Sequence, residues 1–234
     1  GTGGQVNLSN FPLTFGGDNS STTFAGSFGG SLALIKNGTG TFTNGATNLN
    51  TVLFTINNGV MILNHANAGA YSNFTIGANG TLDLNGKTIG TGTGINTTVH
   101  IQGSGYNGQG ALINSSASAA TMKVGNLYWD SAADVLINTT GNITLYATTV
   151  PFSGTRYTPT IVKTGPGLLD VTNLGGTTSN TTATPYGNNA YNILQGTATL
   201  GSSSIYTTVG DVTVASGTST TLAFGANGNY TGTI

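Results

Sequence analysis

Apolar and polar residues alternate along much of this chain. In FTIGANGTLDL (residues 74–84), apolar side chains recur at every second position on both sides of the link, and VTVASGTSTTLAF (212–224) alternates in the same way. A period of two is the pattern of a strand with one buried face, and Gly-rich links are typical of turns. The chain is therefore predicted to be all-β, with many short strands joined by tight turns.

Three sequence blocks recur in the same order in the two halves of the chain. Each pair shares an apolar strand, the first two pairs also share the positions of their glycines, and the first pair shares a lysine, Lys36 in one half and Lys163 in the other. The matched blocks are LIKNGTGTF with IVKTGPGLL, FTINNGVMIL with YNILQGTATL, and FTIGANGTLDL with VTVASGTSTTLAF. A solenoid in which each unit packs on the next has this kind of sequence.

The blocks define two repeat-like regions, 23–90 and 159–234, around a less regular middle at 91–158. No change in composition marks a boundary between them. We therefore predict one β-helical domain over residues 1–234, a length that is enough to bury a core.

These blocks resemble the autotransporter-associated β-strand repeat of bacterial surface passenger domains, in which an apolar pair precedes Lys-x-Gly-x-Gly and an alternating strand follows. The resemblance covers about two thirds of the chain. It implies a single right-handed parallel β-helix, with coils of roughly 20 residues and therefore about 11 coils. It implies adhesion, aggregation or surface display as the function, and it brings no catalytic residues. A β-sandwich, pilin-like subunit joined by donor strands is the alternative architecture.

Composition narrows the function classes. Charged residues make up 5% of the chain, the net charge is -1, and glutamate and cysteine are absent. The chain lacks the basic patch that nucleic acid binding needs, and it contains neither a run of about 20 apolar residues that could span a membrane nor a signal peptide. A neutral hydroxyl and amide surface suits a secreted, cell-surface protein, which would then be a mature part or a fragment.

The two ends of the chain are related in sequence. FGGDNSSTTFAGSF (15–28) resembles FGANGNYTGTI (224–234), and neither end carries the charged cap that closes a solenoid. Exposed strand edges recruit further strands. We therefore predict that copies of this chain associate end to end, by stacking or strand donation, as units of a cell-surface fibre or adhesin. The residues expected at these contacts are Gly1, Val6, Leu8, Tyr230 and Ile234.

Asparagine sequons are numerous and make glycosylation a second expectation, since glycans would keep an uncharged surface soluble. The alternative is that these asparagines serve turns and stacked ladders within the coils. The eleven sequons begin at Asn7, Asn19, Asn37, Asn73, Asn79, Asn96, Asn114, Asn138, Asn142, Asn180 and Asn229.

The competing function is a carbohydrate-active β-helix, either a glycan-binding module or a polysaccharide lyase. Asp130 and Asp134 are the only close acidic pair, and glycosidases use two such groups about 5 to 10 Å apart. This hypothesis requires Lys123, Trp129 and Arg156 to line one groove with them, and it fails if the five lie on different faces. No cofactor, metal site or nucleophile elbow is recognisable, and the two histidines, His65 and His100, have no ligand partner nearby in the sequence. We therefore favour a protein that is not an enzyme.

Lys36 and Lys163 occupy the same place in two repeats, and each is followed by Gly-x-Gly. That recurrence favours a structural corner over a catalytic base. We expect each ammonium group either to point to solvent at a turn or to bind carbonyl groups of the next coil.

Overall fold

The computed structural model is a parallel β-solenoid. It describes residues 2–7, 11–29, 32–48, 52–66, 68–69, 71–90, 97–149, 157–174, 189–200, 208–209, 211–216, 221–224 and 229–230. In this part of the chain the one helical element is a 3₁₀ turn at Tyr106–Gly108, and no helix could span a membrane. The all-β prediction is confirmed.

Short strands joined by Gly- and Asn-rich turns make up the coils. Their bounds are β1 Thr2–Asn7, β2 Leu13–Phe15, β3 Thr22–Gly29, β4 Leu32–Lys36, β5 Thr41–Asn44, β6 Thr47–Asn48, β7 Val52–Leu63, β8 Asn73–Asp83, β9 Thr88–Ile89, β10 Thr98–Ile101, β11 Leu112–Asn114, β12 Ala120–Trp129, β13 Val135–Thr139, β14 Ile143–Thr149, β15 Ile161–Thr164, β16 Leu168–Leu174, β17 Tyr191–Ile193, β18 Thr197–Leu200, β19 Thr208–Val209, β20 Val212–Val214, β21 Thr221–Phe224 and β22 Asn229–Tyr230.

Most strands stack in three ladders, β3 also pairs with β1 and β6, β19 pairs with β22, and all the pairings found in the described residues are parallel. The first ladder runs from β2 through β4, β7, β8 and β10 to β12. The second begins at β3 and ends at β20, and the third runs from β9 through β12, β14, β16 and β18 to β21. Parallel pairing throughout makes the β-sandwich alternative wrong.

The core lies inside the coil, where residues in register on successive strands point to the same side. The first ladder buries a continuous column of apolar side chains, because the alternating pattern puts an apolar residue at the same register position of each successive strand. The column consists of Leu34, Phe54, Phe74, Val99 and Leu127. Neighbouring coils therefore contribute most of the burial that stabilises each one.

The solenoid has about seven turns, so the prediction of roughly eleven coils is wrong. Early coils do have the expected length, because Leu34 pairs with Phe54 and Phe54 with Phe74, twenty residues apart each time. Later coils are longer, and Ile161 pairs with Tyr191 thirty residues further on. Extra residues at the turns add length without adding rungs. The single-domain organisation and the right-handed sense stay predictions.

The repeat that was recognised in the sequence is a structural repeat. Lys36 pairs with Ile56 and Lys163 with Ile193, the same positions of the matched blocks. The two copies nevertheless lie on different ladders. Lys36 ends β4 of the first ladder, whereas Lys163 is in β15 of the second. What repeats is therefore a corner between two strands, displaced by one ladder.

Candidate functional site

β1, β2 and the first half of β3 form the first coil of the described chain. A cavity of about 120 Å³ lies at this end, and only apolar side chains line it. We call it the first-coil pocket, and it is lined by Val6, Leu13, Phe15, Phe24, Phe28, Leu34 and Phe42. Of the lining residues, Leu13 is 38% exposed, and Phe11, two residues earlier in the chain, is 75% exposed. Exposed apolar surface that is continuous with a core is typical of an interaction site.

Aromatic rings connect the pocket to the interior. The ring of Phe15 packs edge-on against that of Phe42 at 4.7 Å between centroids. Phe24 lies 4.8 Å from Phe28, which in turn packs against Phe54 at 6.0 Å. Aromatic pairs at 4.5–7 Å contribute beyond their burial. The pocket is thus the outer end of an ordered aromatic column.

Strand edges accompany this pocket. In the part of the chain that the structure describes, β1 pairs with β3 alone and β2 with β4 alone. The outer backbone groups of both strands therefore face away from the solenoid. Such edges are templates for a further strand, so the first coil offers both apolar contacts and backbone hydrogen bonds.

The structure can be compared with the five residues predicted to mediate association. Val6 lines the first-coil pocket, next to Leu13 and Phe24. Tyr230 is described only by its backbone in β22, and Gly1, Leu8 and Ile234 lie outside the described residues. Sequence reasoning missed Phe11, Leu13 and Phe15. The apolar cluster FPLTF beside an uncapped end is the signal that could have found them.

The acidic, basic and aromatic candidates do not converge on one groove. Trp129 packs against the core, whereas Lys123 lies on the outer face of the same strand, above the ring of Tyr146 at 5.3 Å. Asp134 is exposed beyond the strand, and Arg156 is outside the described residues. Among the described residues no contact joins Asp130 to Asp134 or to Lys123.

Asp130 has a different partner, His100, which sequence reasoning left unpaired. Nδ1 of His100 lies 2.9 and 3.0 Å from the two carboxylate oxygens of Asp130. The ring of His100 stacks on that of Tyr128 at 4.4 Å and 7°, because the two residues are in register on β10 and β12. Registration across coils brings together residues thirty positions apart, so no local sequence signal reveals the pair.

The His100–Asp130 pair has limited chemistry. The carboxylate orients the imidazole, as in many catalytic and metal sites. However, no group of three His, Asp or Glu residues that could hold a metal occurs within the described ranges. The stacked ring of Tyr128 also covers one face of the imidazole. The pair therefore acts as an ordered surface contact between coils. His65 lies half-buried in the turn after β7.

Both repeat lysines are buried, and their ammonium groups bind backbone carbonyls. Nζ of Lys36 donates to the carbonyl of Gly38 at 3.0 Å and to that of Asn58, in the next coil, at 2.8 Å. Of the two expected positions, the one that binds the next coil is confirmed and the solvent-facing one is wrong, since Lys36 is 2% exposed. Burial lowers the pKa of Lys36 below its usual value.

Lys163 repeats this arrangement. It donates to the carbonyls of Gly165 at 2.6 Å, Gln195 at 2.8 Å and Thr164 at 3.2 Å, and it is fully buried. Burial lowers its pKa to about 8. We call the two groups lysine corners. They consist of Lys36, Gly38, Gly40, Asn58 and Gly59, and of Lys163, Gly165, Gly167, Gln195 and Gly196.

The glycine spacing that the two corners share has a steric cause. Gly59 has φ 73°, and a Cβ there would lie 2.6 Å from the Gly38 carbonyl oxygen, the Gly40 carbonyl oxygen and Nζ of Lys36. Gly196 has φ 76°, and a Cβ there would lie 2.4 to 2.8 Å from the matching atoms of the second corner. Glycine is therefore required wherever a lysine gathers carbonyls from two coils.

The sequon asparagines fall into distinct environments. Asn114 is fully buried, and its side-chain amide donates to the carbonyls of Ser118 and Asn142. The half-buried sequon asparagines bond across coils: the amide of Asn138 donates to Gln109, and the side-chain oxygens of Asn37 and Asn73 accept hydrogen bonds. The exposed ones are Asn7, Asn19, Asn79 and Asn142. Asn96, Asn180 and the side chain of Asn229 are outside the described residues.

Comparison of the chain with protein-family models, with curated proteins and with solved structures finds no match. The function therefore has to be argued from the geometry of the solenoid.

Proposed function

We propose that this chain is a structural unit of an extracellular fibre or adhesin and that its copies associate end to end through the first coil. The observation that carries the proposal is the first-coil pocket, an apolar cavity beside the edges of β1 and β2 that pair with no strand in the described part of the chain. The nearly uncharged composition supports a surface or assembled setting. So does the resemblance of the repeat blocks to surface passenger domains.

The interior of the solenoid is built for mechanical persistence. Its corners are closed by buried lysines, its sequon asparagines bond across coils, and its ladders pair in parallel from coil to coil. Each of these contacts joins one coil to the next, so every coil depends on its neighbours.

The carbohydrate-active alternative has less support. Of its required residues, Trp129 packs against the core, Lys123 lies on the outer face and Asp134 is exposed, and no contact among these three is found in the described ranges. The ring of Tyr128 stacks on that of His100 on the outer face of two neighbouring coils.

The test is the state of association in solution, followed by sedimentation across a wide protein concentration range and by electron microscopy. We expect elongated assemblies that shorten on dilution. Leu13→Asp places a carboxylate at the rim of the first-coil pocket and should abolish assembly. The matched control is Leu53→Asp, at a side chain of nearly equal exposure, 40%, in a later coil. Monomers at every concentration, or equal assembly of both variants, would contradict the proposal.

A further inference from the structure

The first lysine corner places a backbone nitrogen against the side chain of the residue before it. The N–H group of Gly59 donates a hydrogen bond of 2.8 Å to Oδ1 of Asn58. Because a C=O bond is about 1.2 Å long, the carbonyl carbon Cγ of Asn58 lies within about 4 Å of this nitrogen. A bond between the two atoms would close a five-membered succinimide ring. The corner thus holds the two groups close to the separation of about 3–3.5 Å from which such a reaction starts.

Lys36 binds the same peptide unit through its oxygen. Nζ of Lys36 donates to the backbone carbonyl of Asn58 at 2.8 Å, and this carbonyl belongs to the peptide bond whose nitrogen is that of Gly59. When that nitrogen loses its proton, the negative charge is shared with the carbonyl oxygen, because the peptide bond is conjugated. A buried ammonium group at hydrogen-bond distance stabilises such an anion. Lys36 therefore favours the form of the peptide that attacks Cγ.

The local backbone leaves room for the reaction and for its product. Gly59 carries no side chain to block the approach of its nitrogen, and its φ of 73° is one that other residues rarely adopt. The pairing of β7 with β8 shifts in register between Ile56 and Asn58. A further main-chain atom is therefore accommodated more readily here than within a regular ladder.

Other Asn-Gly pairs of the described chain direct the glycine nitrogen away from the asparagine side chain. In the pairs that begin at Asn44, Asn85 and Asn107, the glycine N–H donates to the carbonyl of Phe24, to Oδ1 of Asn114 and to the carbonyl of Gly105. In these three pairs the fold holds the nitrogen in a bond to a different residue. They are therefore internal references for the pair at the corner.

The second lysine corner has the same backbone arrangement and a different side chain. Nζ of Lys163 donates to the carbonyl of Gln195 at 2.8 Å, and Gly196 follows with φ 76°. The side chain of glutamine is one methylene longer than that of asparagine, so the same attack would have to close a six-membered ring, which forms more slowly. The chain thus contains a slow copy of the first corner.

We infer that Asn58–Gly59 is a site of spontaneous deamidation that Lys36 promotes in the folded solenoid. Hydroxide takes the N–H proton of Gly59, the nitrogen forms a bond to Cγ, and the Cγ–Nδ2 bond breaks to release ammonia, which takes a proton from water. Water then opens the imide at either carbonyl and leaves aspartate or isoaspartate at position 58. Each event adds one negative charge to a chain whose net charge is -1, and isoaspartate lengthens the main chain by one carbon at the corner. The inference does not depend on the association of copies.

Peptide mapping by mass spectrometry measures deamidation at each Asn-Gly pair after incubation of the folded chain at mildly alkaline pH. We expect Asn58 to react about tenfold faster, or more, than Asn44, Asn85 and Asn107. In urea the four should react at similar rates. Equal rates at the four sites of the folded chain would overturn the inference. An equal advantage of Asn58 in urea would assign the effect to the local sequence and would also overturn it.

Lys36→Met separates charge stabilisation from a purely structural role of the lysine. It should slow deamidation at Asn58 about tenfold or more, because the anion loses its ammonium group, whereas removal of a merely structural lysine would open the corner and speed the reaction. Lys123→Met, at an outer-face lysine, is the control and should leave the rate unchanged. Gln195→Asn keeps both lysines in place and should create a second reactive site beside Lys163. Circular dichroism verifies that each variant folds. An unchanged or raised rate at Asn58 in folded Lys36→Met, or an inert asparagine in Gln195→Asn, would overturn the inference.

Discussion

Lys163→Met is the sharpest test of the lysine corners. Methionine retains most of the length of the lysine stem and its packing, and it removes the ammonium group. The ammonium group of Lys163 donates to the carbonyls of Gly165 and Gln195 at less than 3 Å, and the lysine is fully buried. In the variant both carbonyls therefore lose their hydrogen-bond donor inside the solenoid. The variant therefore isolates the bonds that join two coils at this corner.

The change in unfolding free energy has two contributions of opposite sign, the lost hydrogen bonds and the removal of a buried charge. Each carbonyl left without its donor costs about 1–3 kcal/mol, or about 2–6 kcal/mol for two. Relief of the buried charge returns part of this, because burial lowers the pKa of Lys163 to about 8. Discounted for screening by nearby solvent, that relief is about 1–2 kcal/mol. At the midpoints of these ranges, about 4 kcal/mol for the bonds and about 1.5 kcal/mol for the relief, the bonds outweigh the relief, and the expected net destabilisation is about 2–3 kcal/mol.

Urea denaturation followed by circular dichroism measures the change, and hydrogen exchange shows whether β15 and β17 open first. Lys36→Met should behave in the same way with a smaller effect, because Lys36 donates two hydrogen bonds where Lys163 donates three. Lys123→Met is the control: its amine lies over the exposed side of Tyr146, so its loss should cost less than about 1 kcal/mol. A Lys163→Met variant as stable as the wild type would refute a net contribution from the corner.

Three further predictions follow from the same contacts. The unfolding free energy should rise from pH 8 to about 10, because Lys163 takes up a proton on unfolding there. It should fall above pH 10, because burial raises the pKa of Tyr191; a fall between pH 8 and 10 would contradict this. Gly59→Ala should destabilise by about 2–4 kcal/mol in urea, and Gly17→Ala, with open space around it, by far less. In a host that glycosylates sequons, mass spectrometry of the folded protein should find glycans at exposed Asn79 and none at Asn114.

The fold was accessible from sequence because alternation and repetition are local signals. The blocks around Lys36 and Lys163 fixed the positions of strands and turns, and the register agrees with that alignment. Coil number was not accessible in this way. It depends on how many residues each turn inserts, and the turn after β10 contains a 3₁₀ turn that no strand pattern predicts. Lengthened turns also let the second corner fall on a different ladder from the first.

Most residues of the candidate sites, in contrast, could not be predicted from the local sequence. His100 and Asp130 meet because β10 and β12 are neighbours in the first ladder, and that neighbourhood depends on the length of the coil between them. The first-coil pocket depends on which apolar residues of neighbouring strands the coil brings together. Val6 was predicted from its position near an uncapped end, whereas only the structure shows that Leu13 and Phe15 line the same pocket.

Lysine occupies the corners because the backbone there presents hydrogen-bond acceptors that lack donors. Where a strand turns, its ladder is interrupted, and the carbonyls of Gly38 and Asn58 from successive coils approach the same point. Both are acceptors, so neither can satisfy the other, and an asparagine would bring an acceptor of its own. An ammonium group supplies three donors and no acceptor. A chain with few charges thus places two of its lysines inside the solenoid, where a multiple donor closes the gap between coils that backbone pairing leaves open.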